Sequence, residues 1–156
     1  RKAELKDLSG ILAVMDENFD LYEEITRDSI EGPARQFSKE SILYYLEIPN
    51  LPLFVAECDN GYKPFIVGSI IGTNDSLVNT EMPPSDHIYI TNIDVKQDFR
   101  RRGIGVKLIQ CIEDWARQRG INKIYLDVDY ANTTARDFYE KQGYGTIRET
   151  RLKRLK

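Results

Sequence analysis

The spacing of apolar residues changes along this chain, and those changes mark out its elements. Leu8, Ile11, Leu12, Met15 and Phe19 recur every three or four positions, which is one face of a helix despite Gly10. Gly32-Pro33 breaks the acidic segment that follows. Ser38 then stands as N-cap to a short helix carrying Ile42, Tyr45 and Leu46, closed by Pro49 and Pro52. Beyond it the pattern turns strand-like. Residues 53–58 and 65–73 read as two strands joined by a turn whose Asn60-Gly61 pair is a strong hairpin signal. A polar loop, 74–86, is long enough for a functional role. From His87 to Val95 the chain alternates, with Ile88, Ile90 and by extension Asn92 on one face and Tyr89, Thr91 and Ile93 on the other.

Helical spacing returns in Ile104, Leu108, Ile112, Trp115 and Ala116 and stops at Gly120, predicting a helix near 104–119. Residues 123–129 form a further predicted strand, with Ile124, Leu126 and Val128 facing away from Asp127 and Asp129. Asn132 is a good N-cap for a helix ending at Gly143, with Ala135, Phe138 and Tyr139 on one side. The residues from Tyr144 onward are expected to add at least one closing strand. Strand 87–95, a crossover helix and strand 123–129 require a parallel pair, whereas the short connections earlier in the chain require antiparallel ones. The expected fold class is therefore α/β: a mixed, mostly antiparallel sheet with one parallel βαβ pair, flanked by helices.

Composition changes this picture little. A chain of 156 residues without repeats or low-complexity segments reads as one domain, 1–156. With 22 basic and 25 acidic side chains the net charge is −3, which argues against a nucleic-acid partner and makes the arginine run at 100–102 a local device. The apolar stretch 65–72 is too short to span a bilayer, and no secretion-signal pattern opens the chain, which begins without methionine. Cys58 and Cys111 are too few for a disulfide framework and lack metal-ligand spacing, so reduced thiols, no metal and a cytoplasmic location are expected.

The chemistry concentrates in Phe99–Lys107, where Arg100, Arg101 and Arg102 precede Gly103-Ile104-Gly105 at the junction of a strand end and a helix start. Unpaired N–H groups and the positive end of the macrodipole make a helix N-terminus an anion site, and glycines let an anion approach the backbone. A P-loop would need Gly-Lys-Ser/Thr where Gly105-Val106-Lys107-Leu108 stands, and a dinucleotide fold would need a third glycine at Leu108.

Arg100-Arg101-Arg102-Gly103-Ile104-Gly105 resembles the Arg/Gln-x-x-Gly-x-Gly/Ala signature of the GCN5-related N-acetyltransferases. The pattern of Asn132, Ala135, Phe138, Tyr139 and Gly143 resembles a second motif of the same superfamily, so the likeness covers roughly 88–145. The resemblance implies acetyl-CoA as cosubstrate. Its diphosphate would lie on backbone N–H groups from Arg101 to Val106, among them those of Arg102, Gly103, Ile104 and Gly105, with Arg100 adding charge. The main chain of Ile93 and Val95 would pair with the pantetheine arm as an added strand, and Asn132 would contact that arm. Tyr139 would protonate the departing thiolate. A main-chain N–H near Val95 would hold the oxyanion formed by direct attack of the amine on the thioester.

An alkylamine is almost wholly protonated at neutral pH, so a base is wanted. Where relatives carry glutamate or histidine on the strand, this chain has Tyr89 and Thr91. His87, the only histidine, is the candidate base; Asp127 and Asp129 are alternatives, as a water-linked base or as contacts to a cationic acceptor, and Tyr89 is a candidate contact to the acceptor. Acidic residues crowd 16–31, and Asp75, Glu81 and Asp86 lie in the later loop, which points to a cationic small-molecule or peptide amine as acceptor. The competing reading is an acyl-CoA-binding sensor or inactive relative with this fold. The sequence leaves a homodimer open and gives no sign of a membrane partner.

Overall fold

The computed structural model describes residues 1–26, 37–78, 85–151 and 153. Gly32-Pro33, Glu81 and the extreme of the basic C-terminus lie outside the described residues. Helix α1 spans Leu8–Thr26 and α2 spans Lys39–Glu47. Strands β1 (Leu53–Asp59) and β2 (Pro64–Thr73) follow, then a single turn of helix, α3 (Asp75–Val78). Strand β3 runs His87–Val95, helix α4 Ile104–Arg117, strand β4 Lys123–Leu126 and helix α5 Thr133–Lys141. The four strands form one sheet in chain order, with β1–β2 and β2–β3 antiparallel and β3–β4 parallel. The expected mixed α/β architecture is the observed one.

Local chemistry explains most element ends. Ser38 Oγ accepts from the Ser41 amide at 3.1 Å and Asn132 Oδ1 from the Ala135 amide at 3.1 Å, each capping its helix. The β1–β2 turn places Gly61 at φ +84°, and Asn60 Oδ1 accepts from the amides of Tyr62 and Lys63. Gly10 is a contact residue: a Cβ there would lie 2.7 Å from Ile66 Cγ1, so its absence lets α1 settle onto β2.

Apolar side chains fill both faces of the sheet. On one face Ile11 and Val14 of α1 and Ile42 of α2 meet Leu53, Val55 and Ile71. On the other, Leu108, Ile112 and Trp115 of α4 meet Ile70, Ile88 and Ile90. Burying such side chains is worth about 1.5–3 kcal/mol each.

Three expectations need correction. β4 ends at Leu126 rather than 129, because Asp129 makes a turn: its Oδ1 accepts from the Ala131 amide at 2.8 Å and its carbonyl from the Asn132 amide at 3.0 Å. Residues 144–151 contain no strand; the stretch is largely polar, and Ile147 is 77% exposed, so it has no apolar face to bury. Finally, β3 does not alternate evenly. Ile71 pairs with Asn92 while its neighbour Gly72 pairs with Ile90, leaving Thr91 as an extra residue whose Oγ1 donates to the Ile71 carbonyl at 3.3 Å. The bulge reverses the faces beyond it. Ile93 and Val95 join Ile88 and Ile90 against α4, and Asn92 and Asp94 turn toward α1.

Candidate active site

β3 and β4 pair at only four positions, from His87↔Lys123 to Ile90↔Leu126. Past Ile90, β3 continues to Val95 while the other chain bends away at Asp129. The edge of β3 from Thr91 to Val95 therefore borders an open cleft, whose opposite wall is residues 127–132 and α5 and whose ends are α1 and the start of α4.

The arginine-glycine loop closes one end. Arg101 has φ +59° and Gly103, the residue before α4, has φ +78°. A left-handed conformation at a non-glycine residue costs about 1–2 kcal/mol, and the fold retains it here where the backbone curls above a helix N-terminus. The N-cap offers no side chain to the first-turn amides, and a Cβ on Gly103 would meet nothing within 4 Å. Bare N–H groups, a concave backbone and the positive pole of α4 fit a diphosphate.

The three arginines differ. Arg100 Nε donates to the Val95 carbonyl at 3.1 Å and its Nη2 to Asn18 Oδ1, so this guanidinium ties the end of β3 to α1. Arg102 lies over the Phe99 ring at 5.2 Å, and Phe99 meets Phe65 at 5.7 Å. The Arg101 side chain is exposed. The two glycines differ as well: a Cβ on Gly105 would press on Phe138 at 3.2 Å, so Gly105 allows α5 to approach α4. Ile104 and Val106 are half-buried beside it.

Tyr139 stands half-buried on α5, edge to face with Tyr144 at 5.8 Å and tilted on Phe138 at 5.3 Å. Burial, reinforced by Tyr144 and by the Asp94 charge, pushes its hydroxyl up to about 12, so it keeps its proton. Tyr144 is also pushed up to about 12 by burial, and its hydroxyl is buried without a partner among the described residues.

Across the bulge lies a polar group that the sequence did not reveal. Asp94 pairs across strands with Ser69, whose hydroxyl is fully buried and has no partner among the described residues. Asn92 Nδ2 donates to Asp94 Oδ2 at 2.7 Å. Burial pushes Asp94 up to about 6, against the Asn92 hydrogen bond and the Arg100 charge. Even alternation would have buried Asp94 beneath α4; the signal that could have found it is the polar pair Asn92 and Asp94 itself, since two such residues on an apolar face imply a reversal.

The expected base is placed elsewhere. His87 opens β3, six residues from Ile93, or roughly 20 Å at the rise of a strand. Both Ser85 Oγ (3.0 Å) and Asp86 Oδ1 (3.2 Å) approach its Nδ1, and the ring packs on Tyr125. Serine and aspartate on one nitrogen are not a relay, and His87 does not border the cleft. Tyr89 lines the cleft from the paired half of β3, opposite Tyr125. Asp127 is exposed at the cleft wall, and Asp129 is committed to the turn before α5. Of the other acidic residues, Asp16 lines the cleft, Glu17 binds the Gln97 amide at 2.7 Å, and Asp86, just before β3, pairs with Lys123 at 2.5 Å. Among the described residues, no cluster of His, Cys, Asp or Glu could hold a metal ion, and no helix is long and apolar enough to cross a membrane.

This arrangement matches a known family. The profile of the Acetyltransferase (GNAT) family aligns with residues 16–144, and the chain belongs to that family. A probable N-acetyltransferase, camello, of Xenopus tropicalis is 31% identical over 117 residues, covering 72% of this chain and 49% of the relative. The chain thus spans about half the length of that relative and less of some others, such as 21% of a chloroplastic GCN5-related N-acetyltransferase of Arabidopsis thaliana. Among solved structures, a mutant of a Bacillus halodurans protein superposes with TM-score 0.78 at 20% identity, over 99% of this chain and 98% of that one. The PaiA N-acetyltransferase of Thermoplasma acidophilum, solved with coenzyme A, gives TM-score 0.67 at 19% identity over 91% of this chain and 86% of that one. These likenesses establish the fold.

Proposed function

We propose that this protein transfers the acetyl group of acetyl-CoA directly to a primary amine of a small molecule or peptide. The observation that carries this reading is the unpaired edge of β3, Thr91–Val95, ending beside the first-turn amides of α4 with the Tyr139 hydroxyl in the same cleft. The amides of Arg101 to Val106 hold the diphosphate, the main chain of Ile93 and Val95 meets the pantetheine amides as a strand partner would, and Asn132 borders that arm. Arg100 contributes indirectly, by fixing the Val95 carbonyl and the approach of α1. The coenzyme A complex of the PaiA relative supports the cosubstrate. A thioester needs no enzyme nucleophile, so the protein positions, supplies hydrogen bonds and manages protons.

Tyr139 acts at the sulfur. A hydroxyl held near 12 remains protonated throughout the working range and donates as negative charge grows on the leaving thiolate. The acceptor enters from the α1 side, where Asp16 and Asp94 lie, which supports a cationic amine. The test is thiol release from acetyl-CoA with spermidine, an aminoglycoside, an alanine-ended peptide and glutamate. Turnover with the cationic amines, weakening as salt rises, is expected. Tight coenzyme A binding with no turnover on any amine would instead make the protein a sensor.

A further inference from the structure

We propose that Asp94 takes the proton from the acceptor amine, working from the face of β3 opposite Tyr139; the assignment rests on the acetyl-transfer reading above. His87, the base expected from the sequence, is at the wrong end of β3 and does not line the cleft. The bulge at Thr91 supplies a replacement. By reversing the faces it directs Ile93 and Val95 toward α4 and α5, where Tyr139 stands, and directs Asp94 toward α1, where the acceptor enters. The amine meets the thioester carbon along the normal to the carbonyl plane whereas the sulfur lies in that plane, so base and acid act at different positions around the tetrahedral carbon and need not share a face of β3.

The surroundings of Asp94 suit a proton acceptor. Asn92 holds Oδ2, which fixes the carboxylate, while Oδ1 carries no hydrogen bond among the described residues. The Ser69 hydroxyl, fully buried and unpartnered, lies directly across the strand pair and can orient an ammonium or a bridging water. The charged and titratable groups that act on Asp94 are Arg100, from the loop after β3, and Tyr139, from α5; on α1, Asn18 holds Arg100, Glu17 holds the Gln97 amide and Asp16 lines the cleft. A carboxylate titrating near 6 is ionised at neutral pH yet basic enough to accept a proton from an ammonium about to become a nucleophile.

The protons balance. Asp94 removes one proton from R–NH3+, and the freed nitrogen lone pair forms the C–N bond to the acetyl carbon. The C–S bond then breaks and the sulfur receives the Tyr139 proton; the second N–H proton leaves to water, and the phenolate takes a proton back from water. Asp94 afterwards releases its proton to water. The same event couples the two groups: the Asp94 charge helps to hold the Tyr139 proton, so neutralising Asp94 makes Tyr139 a readier donor as the thiolate forms.

The experiment compares wild type, Asp94→Asn and Asp94→Glu with spermidine and with hydroxylamine, whose nitrogen is already neutral at pH 7, across the pH range. Coenzyme A affinity is measured by calorimetry for each. Wild-type kcat/KM for spermidine is expected to fall as pH drops below about 6. Asp94→Asn should lose that limb and about 10²–10⁴-fold in rate with spermidine, lose far less with hydroxylamine, and bind coenzyme A normally. Should Asp94→Asn fail to bind coenzyme A, Asp94→Glu decides: a retained but displaced acid limb supports the proposal, and an absent one overturns it. Equal losses with both amines, or an unchanged rate and limb, overturn the role of Asp94 while leaving acetyl transfer intact. A wild type that binds coenzyme A and acetylates neither amine overturns the acetyl-transfer reading, and this assignment with it.

Discussion

The two halves of β3 differ in nearly every respect that decides function. From His87 to Ile90 the strand pairs with β4, Tyr89 and Ile90 pair with β2 as well, Ile88 and Ile90 are buried, and the polar residues at its mouth bind one another through Asp86, Lys123 and Ser85. From Thr91 to Val95 one edge meets no strand, a bulge has exchanged the faces, and Asp94, held by Asn92, stands across from the unpartnered Ser69. One strand thus lies against its parallel neighbour at its start and opens onto the cleft at its end. The boundary is where Asp129 draws the neighbouring chain away. Backbone groups left unpaired by that divergence are available to a ligand.

The sharpest way to break this contrast is Tyr139→Phe, which removes one hydroxyl beside the open half. Loss of about 10²-fold or more in kcat with unchanged coenzyme A affinity is expected from steady-state kinetics and calorimetry; a near-normal kcat would mean that water protonates the thiolate. Arg100→Ala comes next. It removes the bond to the Val95 carbonyl and the tie to Asn18, and should cost about 1–3 kcal/mol in denaturant unfolding, with a weaker effect on chemistry than on stability. Gly103→Ala should cost about 1 kcal/mol from its left-handed φ of +78° and weaken coenzyme A binding, since the space beyond it is open.

Asp94→Asn sharpens the contrast in the other direction. The folded carboxyl titrates near 6, above the ordinary value of 3.8, so ionised Asp94 opposes folding above pH 6 and the opposition fades as pH falls toward 4. The asparagine variant should therefore equal or exceed wild type in stability at pH 7.5, with the difference vanishing in acid. Smallest is His87→Ala in the paired half. Its partners are exposed or half-buried, so stability should move by no more than about 0.5 kcal/mol and kcat/KM should stay at the wild-type level.

Much of the fold was legible because periodicity reports burial directly. The α4 stripe through Leu108, Ile112 and Trp115, the Asn60-Gly61 hairpin and the Ser38 and Asn132 caps all appear where the pattern places them. The glycine loop was legible for a different reason: motif residues there are set by backbone conformation, as the positive φ at Gly103 attests. What the pattern missed lies at irregularities. A one-residue bulge leaves no mark on hydropathy, yet it decides that Asp94 faces the cleft. The early end of β4 depends on one side chain bonding its own backbone at Asp129. Residues Tyr144–Arg151 are largely polar, and beyond Tyr144, which packs on the core, they offer no apolar side to bury. Gly105 carried a second role in packing against Phe138, which motif matching cannot register.

The central claim is that the open half of β3 and the α4 loop together receive coenzyme A. Backbone amide NMR during titration with coenzyme A tests it most directly. The amides of Thr91–Val95, Arg101–Val106 and Asn132 should shift together with one saturation curve, while those of His87–Ile90 stay in place. Shifts centred on the paired half of β3, or none in the α4 loop at saturating coenzyme A, would contradict the account.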